Sequence, residues 1–310
     1  MTNRNAKIDI MKGVGILCVI LGHIGSLHVG NLFYSFHMPL FFIISGYLYK
    51  ERSLKQQAER DAQRLLMPYF YTFLVCLAIS LVLGIKGRDY SNFYATAING
   101  ITANDIGAIW FLPALFWSKQ IMNVIQHCSK YPLLVGISIS IIAAIICQYW
   151  FPNYLGICQG TCALIFCMIG KAIKETGFNI SGKAGLFGIA FWIWCVFFSS
   201  LDICSCHFRY YPISIAGACG GCYAVLVLVR KVIMPIGKLE KAFNWLGQNS
   251  LLVLCFQSID GFLPFCHWLK IYDNVPLMII YKVGTCIIAI LLFKRIKRII
   301  TMRFCDKNES

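Results

Sequence analysis

Two of the three histidines near the start of the chain, His23 and His37, stand in otherwise apolar sequence. Imidazole takes and returns a proton near neutral pH, which is what a general base must do. Lys12 precedes His23 by eleven residues. At about 100° per residue that is nearly three full helical turns, so both fall on one face, about 16 Å apart along the axis. Asp9 lies about 40° from His23 on the same side. One helix face would therefore carry a cation at one end and an imidazole at the other. Gly13, Gly15, Gly22 and Gly25 leave that helix room for close neighbours or a ligand. The plainer reading stays open: an interfacial His also caps a helix or bonds a neighbouring carbonyl.

Further polar groups recur at matching places. His37 is followed by Pro39 and the pair Phe41-Phe42, then by Ser45 and Tyr47, which suit packing and hydrogen bonding. Trp110 opens a run through Pro113 and suits an interfacial aromatic belt. Asn249, Ser250, Gln257 and Asp260 lie along one apolar segment. Asp202, His207 and Arg209 read as a solvated loop. Most of the 16 cysteines sit in apolar runs as small hydrophobes, and Cys219 and Cys222 lack a nearby His or carboxylate. Cys204, Cys206 and Cys266 fall on one side of the expected topology, where a disulfide among them is open. No metal is expected.

The elements that must position these groups are membrane helices. The chain is 58% hydrophobic and 13% charged, with a mean hydropathy of +0.68. A soluble chain keeps about a quarter of its residues charged, so here the solvent is lipid. Ten spans are expected, at 8–27, 32–49, 65–85, 106–125, 132–150, 154–172, 185–201, 211–229, 246–269 and 276–293, in an all-α bundle. Assigning connections alternately puts 23 of the 28 Lys and Arg on one side and 5 on the other. The richer side is cytoplasmic, which places both termini inside and the protein in a cytoplasmic, inner-type membrane. The net charge of +15 is spent on this punctuation, and nucleic acid is not an expected partner. Residues 1–310 read as one integral-membrane domain. A retained first span is preferred to a cleaved signal, because Asp9 and Lys12 sit late and no Ala-x-Ala follows. Residues 50–64 suit an interfacial helix, and the basic cytoplasmic tail 294–310 suits contact with anionic lipid.

The motifs carry a resemblance. Ile8-Asp9-Ile10-Met11-Lys12-Gly13 leading to Leu21-Gly22-His23, and Phe36-His37-Met38-Pro39-Leu40-Phe41-Phe42-Ile43-Ile44-Ser45-Gly46-Tyr47, resemble the opening motifs of the acyltransferase 3 family of membrane proteins. Arg64-Leu65-Leu66-Met67-Pro68-Tyr69 resembles that family's basic entry to the third span. Trp110-Phe111-Leu112-Pro113-Ala114-Leu115 and Leu246-Gly247-Gln248-Asn249-Ser250-Leu251 are similar to later signatures, in family order. The resemblance implies a ten-span O-acyltransferase. It would take an acyl group, often acetyl, from cytoplasmic acyl-CoA as co-substrate, and place it on a hydroxyl of a surface or secreted glycan or a lipid-linked sugar. His23 falls on the family's essential histidine. Lys12 stands where many members carry Arg, keeping the charge without the bidentate fork. Gln257 stands where many carry His.

In that reading Lys12 and Arg64 hold the CoA phosphates at the inner mouth, and His23 deprotonates the acceptor hydroxyl. His37 or Trp110 orients the acceptor or donates to the oxyanion, with Asp9, Ser45, Tyr47, Asn249 and Gln257 in support. Transient acylation of His23 is a second route. A small-solute transporter and a non-catalytic membrane module of the same fold are the alternatives.

Overall fold

The computed structural model describes residues 5–24, 30–104, 106–150, 154–177, 182–263, 265–271 and 274–306. The chain opens with α1 (Ala6–Gly22), the short α2 (Gly30–Tyr34) and α3 (His37–Tyr47). Next come α4 (Leu54–Asp61), a π-helical turn at Ala62–Leu66 and α5 (Met67–Gly87), which together form one continuous helix of 34 residues. Helix α6 (Ser91–Thr102) follows, then a 3₁₀ turn (Gly107–Trp110) leading into α7 (Phe111–Cys128), α8 (Pro132–Tyr149), α9 (Ile157–Thr176) and α10 (Gly182–Phe198). Strands β1 (Ser200–Asp202) and β2 (His207–Arg209) form an antiparallel hairpin. The chain closes with α11 (Tyr211–Leu228), prolonged by a π turn to Ile233, then α12 (Gly237–Gln248), α13 (Ser250–Gly261), α14 (Phe265–Trp268) and α15 (Val275–Asp306).

Among the described residues five helices are long and apolar enough to cross a bilayer: Leu54–Gly87, Pro132–Tyr149, Ile157–Thr176, Tyr211–Ile233 and Val275–Ile296. At about 1.5 Å per residue, even the 18 residues of α8 reach about 27 Å, close to a hydrocarbon core. Their outer faces expose large apolar side chains, among them Leu74, Ile85, Leu134, Ile145, Ile280 and Leu291. Such a surface is tolerated in lipid and not in water. Helices α1, α3, α7 and α9 are buried among the others, so the chain is a helical membrane protein with its early motifs at the centre.

Four helices meet in two close crossings. On α1 a Cβ added at Gly13 would strike the Phe243 carbonyl, and one added at Gly247 of α12 would strike the Asp9 carbonyl. Gly46 of α3 and Gly170 of α9 stand in the same relation to the Cys167 and Ile43 carbonyls. The obstacle in each case is backbone, which cannot rotate aside. Gly247→Val is therefore expected to destabilise the fold by at least about 1–3 kcal/mol, as overpacking does. The check is the thermal midpoint of the detergent-solubilised chain, and an unchanged midpoint would count against this crossing.

The structure corrects several expected spans. Segment 8–27 ends as a helix at Gly22, with His23 as its C-cap. Segment 32–49 is broken ahead of His37, because Phe36 leaves the helical conformation. Segment 246–269 is split at Asn249, whose side-chain amide donates to the Trp245 carbonyl at 2.6 Å, and α13 stops at Gly261. The solvated loop expected around Asp202, His207 and Arg209 is the β-hairpin, pairing Ser200 with Arg209 and Asp202 with His207. Its turn closes where Asp202 accepts from the Ser205 amide and hydroxyl. Helix α6 was not anticipated. Lys282, counted among the loop charges, lies inside α15. Within 50–64 the helix spans Leu54–Asp61 as α4 and continues into α5.

Candidate active site

The break between α2 and α3 brings the two histidines to one place. His23 caps α1, and its Nδ1 lies 2.8 Å from the Val19 carbonyl one turn back. His37 opens α3, and its Nδ1 meets the Phe33 carbonyl of α2. A ring nitrogen facing a carbonyl carries the proton, so in both rings Nε2 is the basic nitrogen. Tyr34 lies between them, with ring centroids 5.9 Å from His23 and 5.4 Å from His37. Its hydroxyl donates to the Gly22 carbonyl at 2.7 Å, which fixes the ring there. His37 is 1% exposed, and its Nε2 has no hydrogen-bond partner among the described residues. His23 is half-buried and lies within electrostatic reach of both His37 and Lys282.

Lys282 was not foreseen as part of the site. It is 7% exposed, and it donates to Asp260 of α13, which also accepts from the Tyr281 hydroxyl at 2.8 Å. A buried ion pair in a membrane helix is costly, and such pairs mark functional places. The signal that singled out Asp9 and Lys12, an ionisable residue in an apolar run, was present for Lys282 as well. One turn from Asp260, the buried Gln257 faces Cys286, its Oε1 3.9 Å from the thiol. Trp110 is buried at the end of the 3₁₀ turn beside Phe111, which packs on Phe41 and Phe42 of α3. That turn is docked on α13, where the Ile109 amide donates to the Ser258 hydroxyl at 3.2 Å. A groove of about 680 Å³ opens between α5, α6 and the end of α13, lined by Ser80, Asp89, Asn92, Thr96 and Phe262. It does not include the histidines.

The remaining expected residues lie apart from this layer. Lys12 is paired with Asp9 at 3.6 Å, so the cation and the carboxylate of α1 already neutralise each other in part. Ser45 and Tyr47 are half-buried on α3, about 12–15 Å along the axis from His37. Asn249 is the buried residue between α12 and α13 described above. Arg64 is exposed on the π turn, within electrostatic reach of Arg60, which also feels Arg52. Arg52, Arg60 and Arg64 thus place three guanidinium groups along the stretch from just before α4 to the π turn. Asp61 at the end of α4 is buried, and it accepts from Lys119 and Gln120 of α7 and from Gln57. This explains how Lys119 is tolerated in the apolar segment 106–125. Asp61 sits in polar sequence, where nothing distinguished it from its neighbours. Beside it Asn123 accepts from the Tyr49 hydroxyl and donates to the Arg52 carbonyl at 3.1 Å, while Lys174 donates to the Tyr49 carbonyl at 2.8 Å.

The sequence profile of the acyltransferase 3 family, an acyltransferase domain, matches residues 5–294. The chain is similar to nodulation protein NolL of Mesorhizobium japonicum, 28% identical over 159 residues, which is 46% of this chain and 41% of the relative. It is likewise similar to nodulation protein NolL of Sinorhizobium fredii, 27% identical over 187 residues, which is 49% of this chain and 47% of the relative. The chain spans less than half the length of these curated relatives. No solved structure matches it.

Proposed function

We propose that this chain, which belongs to the acyltransferase 3 family, is a multi-pass O-acyltransferase of the cytoplasmic membrane. It moves an acyl group, taken as acetyl, from cytoplasmic acyl-CoA to a hydroxyl of a surface or secreted glycan or lipid-linked sugar. The observation that carries this reading is the histidine pair. Each Nδ1 is held by a main-chain carbonyl, which leaves the Nε2 lone pair of each ring for a proton, and the two rings flank Tyr34. Ten crossings with both termini in the cytoplasm accord with the excess of loop Lys and Arg on one side, which remains when Lys282 is assigned to α15. This topology puts Arg52, Arg60 and Arg64 at the inner face and the histidines toward the outer one.

In the reaction, His23 Nε2 takes the proton of the acceptor hydroxyl while the oxygen attacks the thioester carbonyl carbon. The C–S bond breaks, the CoA thiolate leaves, and the imidazolium returns the proton to it. His37 is buried beside this step and positions the acceptor, and the Lys282 ammonium adds a positive field near the developing negative charge. The groove beside α6 supplies hydroxyl, amide and carboxylate groups for the acceptor's neighbouring sugars. Lys12 and the arginines bind the CoA phosphates, with Arg supplying paired donors to each.

The test is transfer of labelled acetyl from acetyl-CoA to glycan by the full chain in reconstituted membranes. Solute accumulation without acyl-CoA consumption would decide for a transporter instead. Within that assay, Arg60→Gln combined with Arg64→Gln is expected to raise KM for acyl-CoA about tenfold with little change in kcat. The salt dependence of KM should flatten as well, since fewer exposed charges remain to be screened. A kcat loss at unchanged KM would remove these residues from the donor site.

A further inference from the structure

Four cysteines from three elements meet at the far end of α8. Cys147 lies in the last turn of α8, Cys158 and Cys162 lie in the first turns of α9, and Cys206 lies in the hairpin turn. All four belong to one buried cluster, with Cys158, Cys162 and Cys206 close enough to Cys147 to interact with it electrostatically, and the Cys206 thiol donates to the Ile203 carbonyl at 3.7 Å. All four are buried, Cys206 completely. Cys206 has a φ of 52°, a left-handed conformation that costs a non-glycine residue energy and points to a position fixed by its surroundings. Among the described residues no group of thiols is arranged to hold a metal ion.

We propose that Cys206 closes a disulfide with one of two helix thiols of that cluster, Cys147 or Cys162, and so fastens the hairpin to the bundle. The thiols share one buried cluster, and a disulfide would bring two of the sulfurs to the bonded distance of about 2 Å. The proposal rests on the topology above, which puts this end of α8 on the outer side, where disulfides persist. The oxidant is a disulfide-bearing partner, such as a thiol oxidoreductase in its oxidised form. One protein thiolate attacks that disulfide and expels a first thiol. The second protein thiolate then attacks the mixed disulfide and expels the other. The protein sulfurs lose two electrons and two protons, and the oxidant becomes two thiols.

The fastening matters because of what the hairpin adjoins. Strand β1 packs against α2, and Asp202 and Cys204 lie within electrostatic reach of Tyr34, the ring between the two histidines. Gln159 of α9 donates to the Cys204 carbonyl at 2.8 Å and to the Ala103 carbonyl at 3.2 Å, so the hairpin is already tied to the outer ends of α9 and α6. A covalent link at Cys206 makes that tie permanent beside the site. A link between Cys147 and Cys162 would instead join two helices that are packed together anyway, and leave the hairpin untethered.

The purified full chain is reduced, freed of reductant, incubated with oxidised glutathione, quenched in acid, alkylated and mapped by mass spectrometry. More than half of Cys206 is expected in a peptide linked to Cys147 or Cys162. That peptide should disappear on reduction and be absent in Cys206→Ser. Full alkylation of Cys206, a Cys147–Cys162 link with Cys206 alkylated, or four unlinked thiols retaining zinc would each overturn the proposal. The same mapping on cells quenched without reductant should find the link already formed, and its absence there would overturn its formation in the cell. The exposed Cys128 separates failure of the topology from failure of the contact. Labelling of Cys128 by an impermeant maleimide on intact cells would reverse the topology, yet leave the glutathione result to judge the contact.

Discussion

Replacing His23 by alanine is expected to lower acyl transfer by about 10²–10⁴-fold, the contribution of a positioned general base. The assay is label transfer from acetyl-CoA to glycan in membranes, normalised to the amount of folded chain. The loss has to be separated from a capping effect, because His23 Nδ1 also meets the Val19 carbonyl at the end of α1. His23→Asn does this, since its amide N–H can donate to the same carbonyl but offers no titrating base. Both variants should be equally inactive while the thermal midpoint of His23→Asn stays near that of the unsubstituted chain. Transfer by His23→Asn at more than about a tenth of the original rate would assign His23 to the helix end and sink the base hypothesis.

The second large effect concerns the pair of Asp260 and Lys282. Lys282→Met leaves a carboxylate buried without its ammonium, and breaking such a pair costs about 3–5 kcal/mol. The Tyr281 hydroxyl still donates to Asp260, but one neutral donor does not replace a charge. Combining Asp260→Asn with Lys282→Met removes both charges and should recover most of the stability. The double variant then separates two roles. If it folds but transfers label at least about tenfold more slowly, the ammonium serves the reaction near His23. If it transfers at the original rate, the pair only joins α13 to α15. A Lys282→Met chain with an unshifted thermal midpoint would contradict the buried pair itself.

These residues show what the sequence made visible and what it hid. The five long apolar helices were legible, because length and hydropathy alone distinguish a helix that must satisfy its backbone within lipid. The closeness of His23 and His37 followed from two consecutive antiparallel segments turning at one end. Hydropathy does not report where a helix stops inside an apolar run. The breaks at His23, Phe36 and Asn249 arise from side-chain and main-chain bonds that compete with the helix ladder. The partners of Lys119 and Lys282 are 58 and 22 residues distant in sequence, so periodicity could not pair them. Lys12 was legible as a cation on the face leading to His23, but its pairing with Asp9 needed the side-chain geometry. The hairpin was hidden because its strands are three residues each, too short to show alternation.

The unpartnered Nε2 of His37 bears on which acceptors the chain would accept. Among the described residues no donor faces this buried nitrogen, and a buried acceptor left without one costs about 1–3 kcal/mol. In the proposed reaction, an acceptor with a hydroxyl at the right carbon relieves it on docking, whereas the corresponding deoxy sugar of the same shape does not. Sites built around a substrate hydroxyl discriminate against analogues lacking it far more sharply than apolar pockets discriminate by size. Fidelity would then reside in a donor that the substrate itself must supply, and the choice among ring positions would follow from where that hydroxyl meets one buried nitrogen.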